Sequence, residues 1–462
     1  MTNARRRQVV AQSKRPDASP AVPASADEGK FYQDLAAEGR EIGLHAASDA
    51  LPGEASLRQL RRRAGSRRAR DDRFSMLALT EVDGVLRWEE GGALARPAGP
   101  SPARLRGEAG AAGDLVRAQF KFERLPASDV GEFLTTLDRK FATQPGLKVL
   151  SGPRWEPLQK PLARKKILLI IHGTFSNADN VLAEFRATSH GRSFLERART
   201  KYDQVLAFDH WTLSTSPVMN ALDLGRLLQA TPAQIDVIAH SRGGLVARWW
   251  AETFDRQTDR KRRLVLVGAP LGGTSLASPP RLRSALDHLA NVFRTVQVAS
   301  GLASAALPVF TVLAGLMRVL ASVGRATARV PLIDAAVAMI PGLAAQSRVG
   351  NSPELTRLRL ATGDAPANYI AVKADFEPQG VGWAFWQLFV RARQRLADVG
   401  ADIVFDGEND LVVDSASMTF LADNLDLPRA QVLDFGTTDR VHHLNYFRQK
   451  ETLEFLGRKW GV

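Results

Sequence analysis

A serine between small residues is the part of the sequence best suited to chemistry. In the stretch 235–248, residues typical of a buried strand lead into Ala239-His240-Ser241-Arg242-Gly243, and a helix-like segment follows. Such a strand–turn–helix presents a serine hydroxyl above the sheet edge, on a turn so sharp that the flanking residues must be small. The following helix N-terminus supplies N–H groups that stabilise developing negative charge. The pattern predicts that Ser241 is a nucleophile.

A second segment is predicted to lie beside this serine and to contribute a backbone N–H group to the same site. The aliphatic run 167–171 ends in His172-Gly173-Thr174 and is typical of a central strand that is covered on both faces. The loop after it would place the backbone N–H of Thr174 beside that of Arg242, where the two groups would bind the oxyanion of a tetrahedral intermediate. His172 itself is predicted to be structural. Further strands at 205–208 and 263–267, with helical segments between them, predict a parallel α/β sheet.

Three motifs together resemble the α/β-hydrolase superfamily, and within it the lipase-like and GPI-inositol-deacylase-like esterases. They are His172-Gly173-Thr174, the run 239–248, and Gly268-Ala-Pro-Leu-Gly-Gly-Thr274. The resemblance covers roughly residues 160–462. It implies an α/β-hydrolase fold, with a mostly parallel central sheet, helices on both faces and a helical cap insertion. It also implies a catalytic order of serine, acid and histidine.

The acid is sought in the segment 403–416. Asp410, which precedes Leu-Val-Val, is the first candidate, and Asp406 and Asp414 are the alternatives. Members of the superfamily often have Gly after the acid, where this chain has Leu411. A simple surface turn at Asn409-Asp410 is the competing interpretation.

The base is sought near the C-terminus, where two adjacent histidines, His442 and His443, leave the choice open. In related esterases the pattern around the base resembles His-x-x-Tyr-Phe. This pattern selects His443 as the base and leaves His442 a packing or supporting role. The resemblance then implies that Ser241 attacks an acyl carbonyl, His443 acts as base and acid, and Asp410 orients it, with no metal or organic cofactor.

Composition limits the other functions. The 462-residue chain has a net charge of +13 and no cysteine, which excludes disulfides, thiolate metal sites and a cysteine nucleophile. The arginine-rich run 58–70 favours a solvated helix face or arm over a surface for nucleic acid or anionic membrane. Residues 1–30 are predicted to be a disordered basic arm without the apolar run of a signal peptide. The predicted location is cytoplasmic or peripheral to a membrane, with unconventional export left open.

Two regions surround the predicted catalytic domain of residues 161–462. Residues 31–160 are predicted to form a small α+β accessory region, with a hairpin at 74–88 and a strand at 115–122. A helical cap is predicted at about 276–360. Its uncharged stretch 295–317 is long enough to span a membrane, but Ser, Thr, Gln, Gly and Pro308 dilute its apolarity. Cap helices with peripheral membrane contact are therefore favoured over a span.

The sequence predicts a serine hydrolase that cleaves carboxylic esters, and the apolar cap favours lipid or long-acyl esters as its substrate. Two alternatives stay open. One is a non-catalytic α/β-hydrolase-fold module that binds a partner or a membrane. The other is an acyltransferase, thioesterase or amidase that uses the same triad.

Overall fold

The computed structural model describes residues 26–47, 73–82, 84–90, 115–158, 166–256, 262–278, 281–300, 303–323, 339–348, 352–360, 368–378, 405 and 407–461. Asp406, the arginine-rich run 58–70, the predicted loop 91–113 and residues 1–25 of the predicted arm lie outside the described residues.

An eight-stranded sheet forms the centre of the larger domain. In spatial order its strands are β12 (Val432–Thr438), β11 (Tyr369–Phe376), β10 (Arg262–Val267), β9 (Gln234–His240), β7 (Lys166–Ile171), β8 (Gln204–Asp209), β5 (Gly146–Ser151) and β6 (Arg154–Pro157). Neighbours from β12 to β8 pair in parallel. The hairpin of β5 and β6 extends the sheet antiparallel to β8.

Both faces of this sheet are buried, as its sequence requires. In β7, Ile167, Leu169 and Ile171 pack into one core, and Leu168 and Ile170 pack into the core on the opposite face. This two-residue alternation within an uninterrupted apolar run is typical of a parallel strand covered on both sides. One face is covered by α5 (Pro217–Leu228) and α6 (Gly243–Trp249). The other is covered by α3 (Ala178–Arg186), α4 (Ser189–Lys201) and α11 (Lys450–Trp460).

The accessory region is a four-stranded antiparallel sheet with a helix beside it. Its strands, in spatial order, are β1 (His45–Ala46), β4 (Leu115–Glu123), β2 (Phe74–Val82) and β3 (Val85–Glu90). The helix α1 (Ala26–Glu41) precedes them, and α2 (Val130–Asp138) follows. The hairpin and the strand that the sequence predicts here are both present.

The insertion between β10 and β11 is helical and joins the accessory region. It contains α7 (Leu282–Ser300), α8 (Ala303–Val323), α9 (Pro341–Ala344) and α10 (Pro353–Leu360). Residues of α1, β2, β4, α2, α7 and α8 share one apolar core. The ring of Phe31 in α1, for example, meets that of Phe310 in α8 edge to face, with centroids 5.2 Å apart. The cap and the accessory sheet therefore form a single packed unit.

One helix among the described residues is long and apolar enough to cross a membrane. It is the window Ala306–Val323 of α8, and 83% of it is buried inside the fold. Its apolar surface is thus used for packing against the accessory region and α7.

The mostly parallel sheet with helices on both faces and a helical insertion confirms the predicted α/β-hydrolase fold class. Two elements lie across predicted boundaries. β5 and β6 belong to the main sheet, although the accessory region was predicted to extend to residue 160, because an antiparallel hairpin carries no sequence signal for the sheet it joins. The helix α1 begins at Ala26, inside the predicted arm of residues 1–30.

Candidate active site

Ser241 occupies the sharp turn between β9 and α6. Its φ is +54°, a left-handed conformation that a non-glycine residue adopts at a cost of about 1–2 kcal/mol. The turn is held because the N–H of Ser241 donates to Val267 O at 2.8 Å and the N–H of Gly244 donates to Ser241 O at 2.9 Å. Strain maintained in this way is a feature of functional sites.

The small residues around the serine are required by close backbone approach. A Cβ on Gly243 would lie 2.6 Å from His172 O, and a Cβ on Gly173 would lie 2.7 Å from Ser241 Cβ. Real Cβ atoms essentially never lie this close to another heavy atom. The small residues at these positions therefore reflect the close contact between the end of β7 and the turn after β9.

Asp410 and His443 form a buried pair. His443 Nδ1 lies 2.8 Å from Asp410 Oδ2, and the backbone N–H of His443 donates to Asp410 O at 2.9 Å. The two side chains are 0% and 4% exposed. Because a carboxylate oxygen accepts at this distance, Nδ1 carries the hydrogen, and Nε2 is left to accept a proton.

Each oxygen of Asp410 has its own partners. Oδ1 accepts the N–H groups of Val412 and Val413 at 3.1 and 2.8 Å. Oδ2 accepts the hydroxyl of Tyr446 at 2.9 Å, in addition to His443. Burial and the nearby carboxylate raise the pKa of Tyr446 well above its usual value, so its hydroxyl remains a donor. These bonds fix the carboxylate with Oδ2 toward the imidazole.

The alternative candidates for the acid and the base, Asp414 and His442, make other contacts. Asp414 accepts hydrogen bonds from Ser275 and Arg348. His442 packs edge to face on Phe376, with ring centroids 5.3 Å apart, and its Nδ1 accepts the N–H of Leu444. Burial lowers the pKa of His442 to about 4. Of the two adjacent histidines, His443 is the one that reaches Asp410.

His240, which precedes the serine, supports the histidine loop. Its Nε2 lies 2.9 Å from His443 O, and the two rings are 4.8 Å apart. Burial, followed by the proximity of His443, lowers the pKa of His240 to about 3. The ring is therefore neutral at pH 7 and donates from Nε2 to the carbonyl.

The backbone N–H groups of Thr174 and Arg242 are the predicted oxyanion hole. In the part of the chain that the structure describes, neither donates to a protein acceptor. The side chain of Arg242 is directed elsewhere: Nη2 donates to Thr215 O and Asn220 Oδ1, and burial lowers its pKa to about 10.

His172 and Gln346 brace the loop that carries Thr174. His172 is buried and stacks on His210 at 4.0 Å, with Nδ1 2.9 Å from Gly173 O and Nε2 accepting the N–H of His210. Burial lowers its pKa, so it is neutral. The side chain of Gln346, which follows α9, exchanges hydrogen bonds with the hydroxyl of Thr174 at 3.2 and 3.3 Å.

A cavity of about 700 Å³ lies beside several of these groups. Thr174, Ser241 and His443 lie in its wall. Toward the cap its lining is apolar and comes from Leu276, Leu282, Leu286, Leu289, Phe293, Val309 and Leu343. Outside the cap the lining also includes Asp179, Glu184 and Arg448, with Glu184 and Arg448 joined by two hydrogen bonds.

Three residues of the site were not assigned a role from the sequence. Tyr446 lies within the His-x-x-Tyr-Phe pattern, which was the available signal for it. His240 adjoins the serine, but its contact with His443 depends on the folded chain. Gln346 is distant in sequence from Thr174 and had no signal. Within the described ranges, no group of three His, Asp or Glu side chains is arranged to hold a metal ion.

Comparisons with known proteins place the chain in a family. A family model described as "Domain of unknown function (DUF7379)" matches residues 136–460. A search of the curated proteins gave no match.

Similar solved structures include lipase 1 from Pelosinus fermentans, at 11% identity over 63% of this chain and 98% of that chain (TM-score 0.40). They also include a structure from a study of carboxylesterases of Nitrososphaera gargenis, at 15% identity over 65% and 92% of the two chains (TM-score 0.30). A third is a lipase-esterase related protein from Clostridium acetobutylicum, at 10% identity over 68% and 98% of the two chains (TM-score 0.30).

Proposed function

We propose that this chain, which belongs to the DUF7379 family, is a serine hydrolase that cleaves carboxylic esters with a long apolar acyl group. One observation carries the proposal: His443, which is paired with the buried Asp410, lies in the wall of the same cavity as a serine held in a strained turn. A purely structural ion pair does not require a serine in a strained turn beside it. A cavity that only binds a ligand does not require a histidine paired with a buried carboxylate in its wall.

The groups have complementary roles in acyl transfer. His443 Nε2 removes the proton of Ser241 as its oxygen attacks the acyl carbonyl, and the resulting oxyanion accepts the N–H groups of Thr174 and Arg242. The imidazolium, stabilised by Asp410, then gives its proton to the leaving alcohol, and an acyl-enzyme remains. Water activated by the same imidazole releases the acid and restores the serine.

The lining of the cavity supports the choice of substrate. Its volume falls within the range of pockets that enclose small organic ligands, and its cap side offers apolar side chains to an acyl chain. Each methylene buried there contributes about 0.8 kcal/mol, equivalent to a factor of about 4 in kcat/KM. A polar head group would then lie toward Asp179, Glu184 and Arg448.

A panel of p-nitrophenyl esters from acetate to palmitate tests this proposal, with Ser241→Ala as the matched control. We expect kcat/KM to rise with chain length until the cavity is filled, and to fall to background in the control. Equal rates for all esters would contradict the acyl specificity. Absence of turnover in the folded wild type would favour the binding-module alternative.

A further inference from the structure

The residue after Asp410 is held in an unfavourable conformation. Leu411 has a φ of +85°, in the region that favours glycine, at a cost of about 1–2 kcal/mol. Its side chain is completely buried in a small cluster with Val292 of α7 and Phe376 of β11. Because leucine does not adopt this conformation by itself, neighbouring groups must hold the peptide.

Two side chains hold the Leu411 peptide. Its N–H donates to Asn409 Oδ1 at 3.0 Å, and its carbonyl lies 2.8 Å from Nε2 of His288. A carbonyl only accepts, so Nε2 is the donor. His288 is buried against the ring of Phe405, and burial lowers its pKa to about 4. The imidazole is therefore neutral at pH 7, with its hydrogen on Nε2.

His288 belongs to α7, which is fixed to the accessory sheet on another side. Asn291 bonds the backbone of Leu86 in β3 twice, its Oδ1 accepting the N–H and its Nδ2 donating to the carbonyl, each at 2.9 Å. Asp287 Oδ1 accepts the N–H of Trp88 at 2.7 Å. These bonds satisfy the edge of β3 and set the position of α7 relative to the sheet.

We propose that His288 is a positioning residue for Asp410, and that α7 transmits the position of the accessory sheet to the catalytic acid through it. The inference rests on the proposed function for its catalytic consequence. The turn that follows Asp410 supplies the two N–H groups that hold Oδ1, from Val412 and Val413. When the Leu411 carbonyl loses its donor, the strained turn relaxes, and Oδ2 moves away from His443.

Two substitutions separate the hydrogen bond from packing. His288→Leu fills the space without a donor, and His288→Gln retains an N–H of similar reach. We expect His288→Leu to lower kcat on the order of tenfold with little change in KM, the loss equivalent to one hydrogen bond. We expect His288→Gln to stay within about threefold of wild type. If His288→Leu does not fold, His288→Asn, whose amide is too short to reach the carbonyl, takes its place.

Proton NMR provides a readout that does not depend on turnover. The hydrogen between His443 Nδ1 and Asp410 should give a far-downfield resonance, assigned by its disappearance in Asp410→Asn. We expect the resonance to weaken or shift in His288→Leu and to persist in His288→Gln. An unchanged resonance and an unchanged kcat in folded His288→Leu would overturn the inference, as would equal damage in the Leu and Gln variants. An inactive wild type that keeps this pattern of resonances would instead contradict the proposed function alone.

Discussion

Replacement of Asp410 by Asn exchanges one acceptor for a donor at the centre of the site. The amide oxygen can keep the N–H groups of Val412 and Val413, which lie on the Oδ1 side. The amide NH₂ then faces His443 Nδ1 and the hydroxyl of Tyr446, where Oδ2 accepted both. A donor at this position requires His443 Nδ1 to accept, and its hydrogen moves to Nε2.

In the tautomer with its hydrogen on Nε2, this nitrogen has no lone pair to accept the serine proton. The substitution therefore acts on the chemical step. The corresponding loss in serine hydrolases is about 10⁴ in kcat, equivalent to roughly 5–6 kcal/mol of transition-state stabilisation. The expected result for Asp410→Asn is thus a fall of this order in kcat with KM within about threefold. Steady-state hydrolysis of p-nitrophenyl octanoate at pH 7–8 measures both.

Asp414→Asn is the matched control for this experiment. Asp414 is buried in the same segment, but its carboxylate binds Ser275 and Arg348. Its substitution should lower thermal stability and leave kcat of the folded fraction within a few-fold of wild type. If Asp414→Asn removed activity and Asp410→Asn did not, the assignment of the acid would be refuted.

Three further changes test the surrounding structure. Gly243→Ala should destabilise the fold by about 1–3 kcal/mol and abolish activity, because the added Cβ would lie 2.6 Å from His172 O. A variant that is stable in urea unfolding and active in ester assays would contradict the tight turn. Tyr446→Phe should lower kcat several-fold with KM unchanged, since Asp410 Oδ2 loses one donor; unaltered kinetics would show that this bond is dispensable. For Asp287, burial raises the pKa to about 7, so the folded state holds its proton more tightly than the unfolded state, and its contribution to stability falls as pH rises from about 4 to about 7. In urea unfolding, the free energy of unfolding of Asp287→Asn should rise relative to that of wild type by at most about 1.4 kcal/mol per pH unit across that range. A difference between the two proteins that stays constant with pH would argue against the raised pKa.

Local patterns predicted the elements that carry the nucleophile. The run before His172 and the small residues around Ser241 reflect contacts between neighbouring strands, so their sequence signal is strong. The same holds for β2 and β3, whose hairpin has a turn at Gly84, with a φ of +78°. Such features are encoded within a few residues.

Features that depend on long-range packing were not predictable. The sequence gives no indication that β5 pairs with β8, or that α8 packs on α1. It predicted the accessory region and the cap as separate parts, although they share one core. The side chains that brace the site from the cap, His288 and Gln346, belong to an insertion without a motif, and only the fold brings them to Leu411 and Thr174.

Leu411 lies at a position where the superfamily that the sequence resembles often has glycine. A glycine would adopt a φ of +85° without strain, and the leucine weakens the sequence argument for Asp410. In the structure the leucine side chain is buried, and its peptide is bonded by Asn409 and His288. The conformation is therefore retained by packing and hydrogen bonds.

Labelling with a fluorophosphonate tests the central claim most directly. This probe forms a covalent bond with an activated serine, so it requires the nucleophile, the base and the oxyanion hole together and no knowledge of the substrate. We expect the wild type to be labelled at Ser241, as identified by peptide mass spectrometry, and Ser241→Ala to be unlabelled. A folded wild type that remains unlabelled, with detergent present to admit the probe, would contradict the proposed catalytic function.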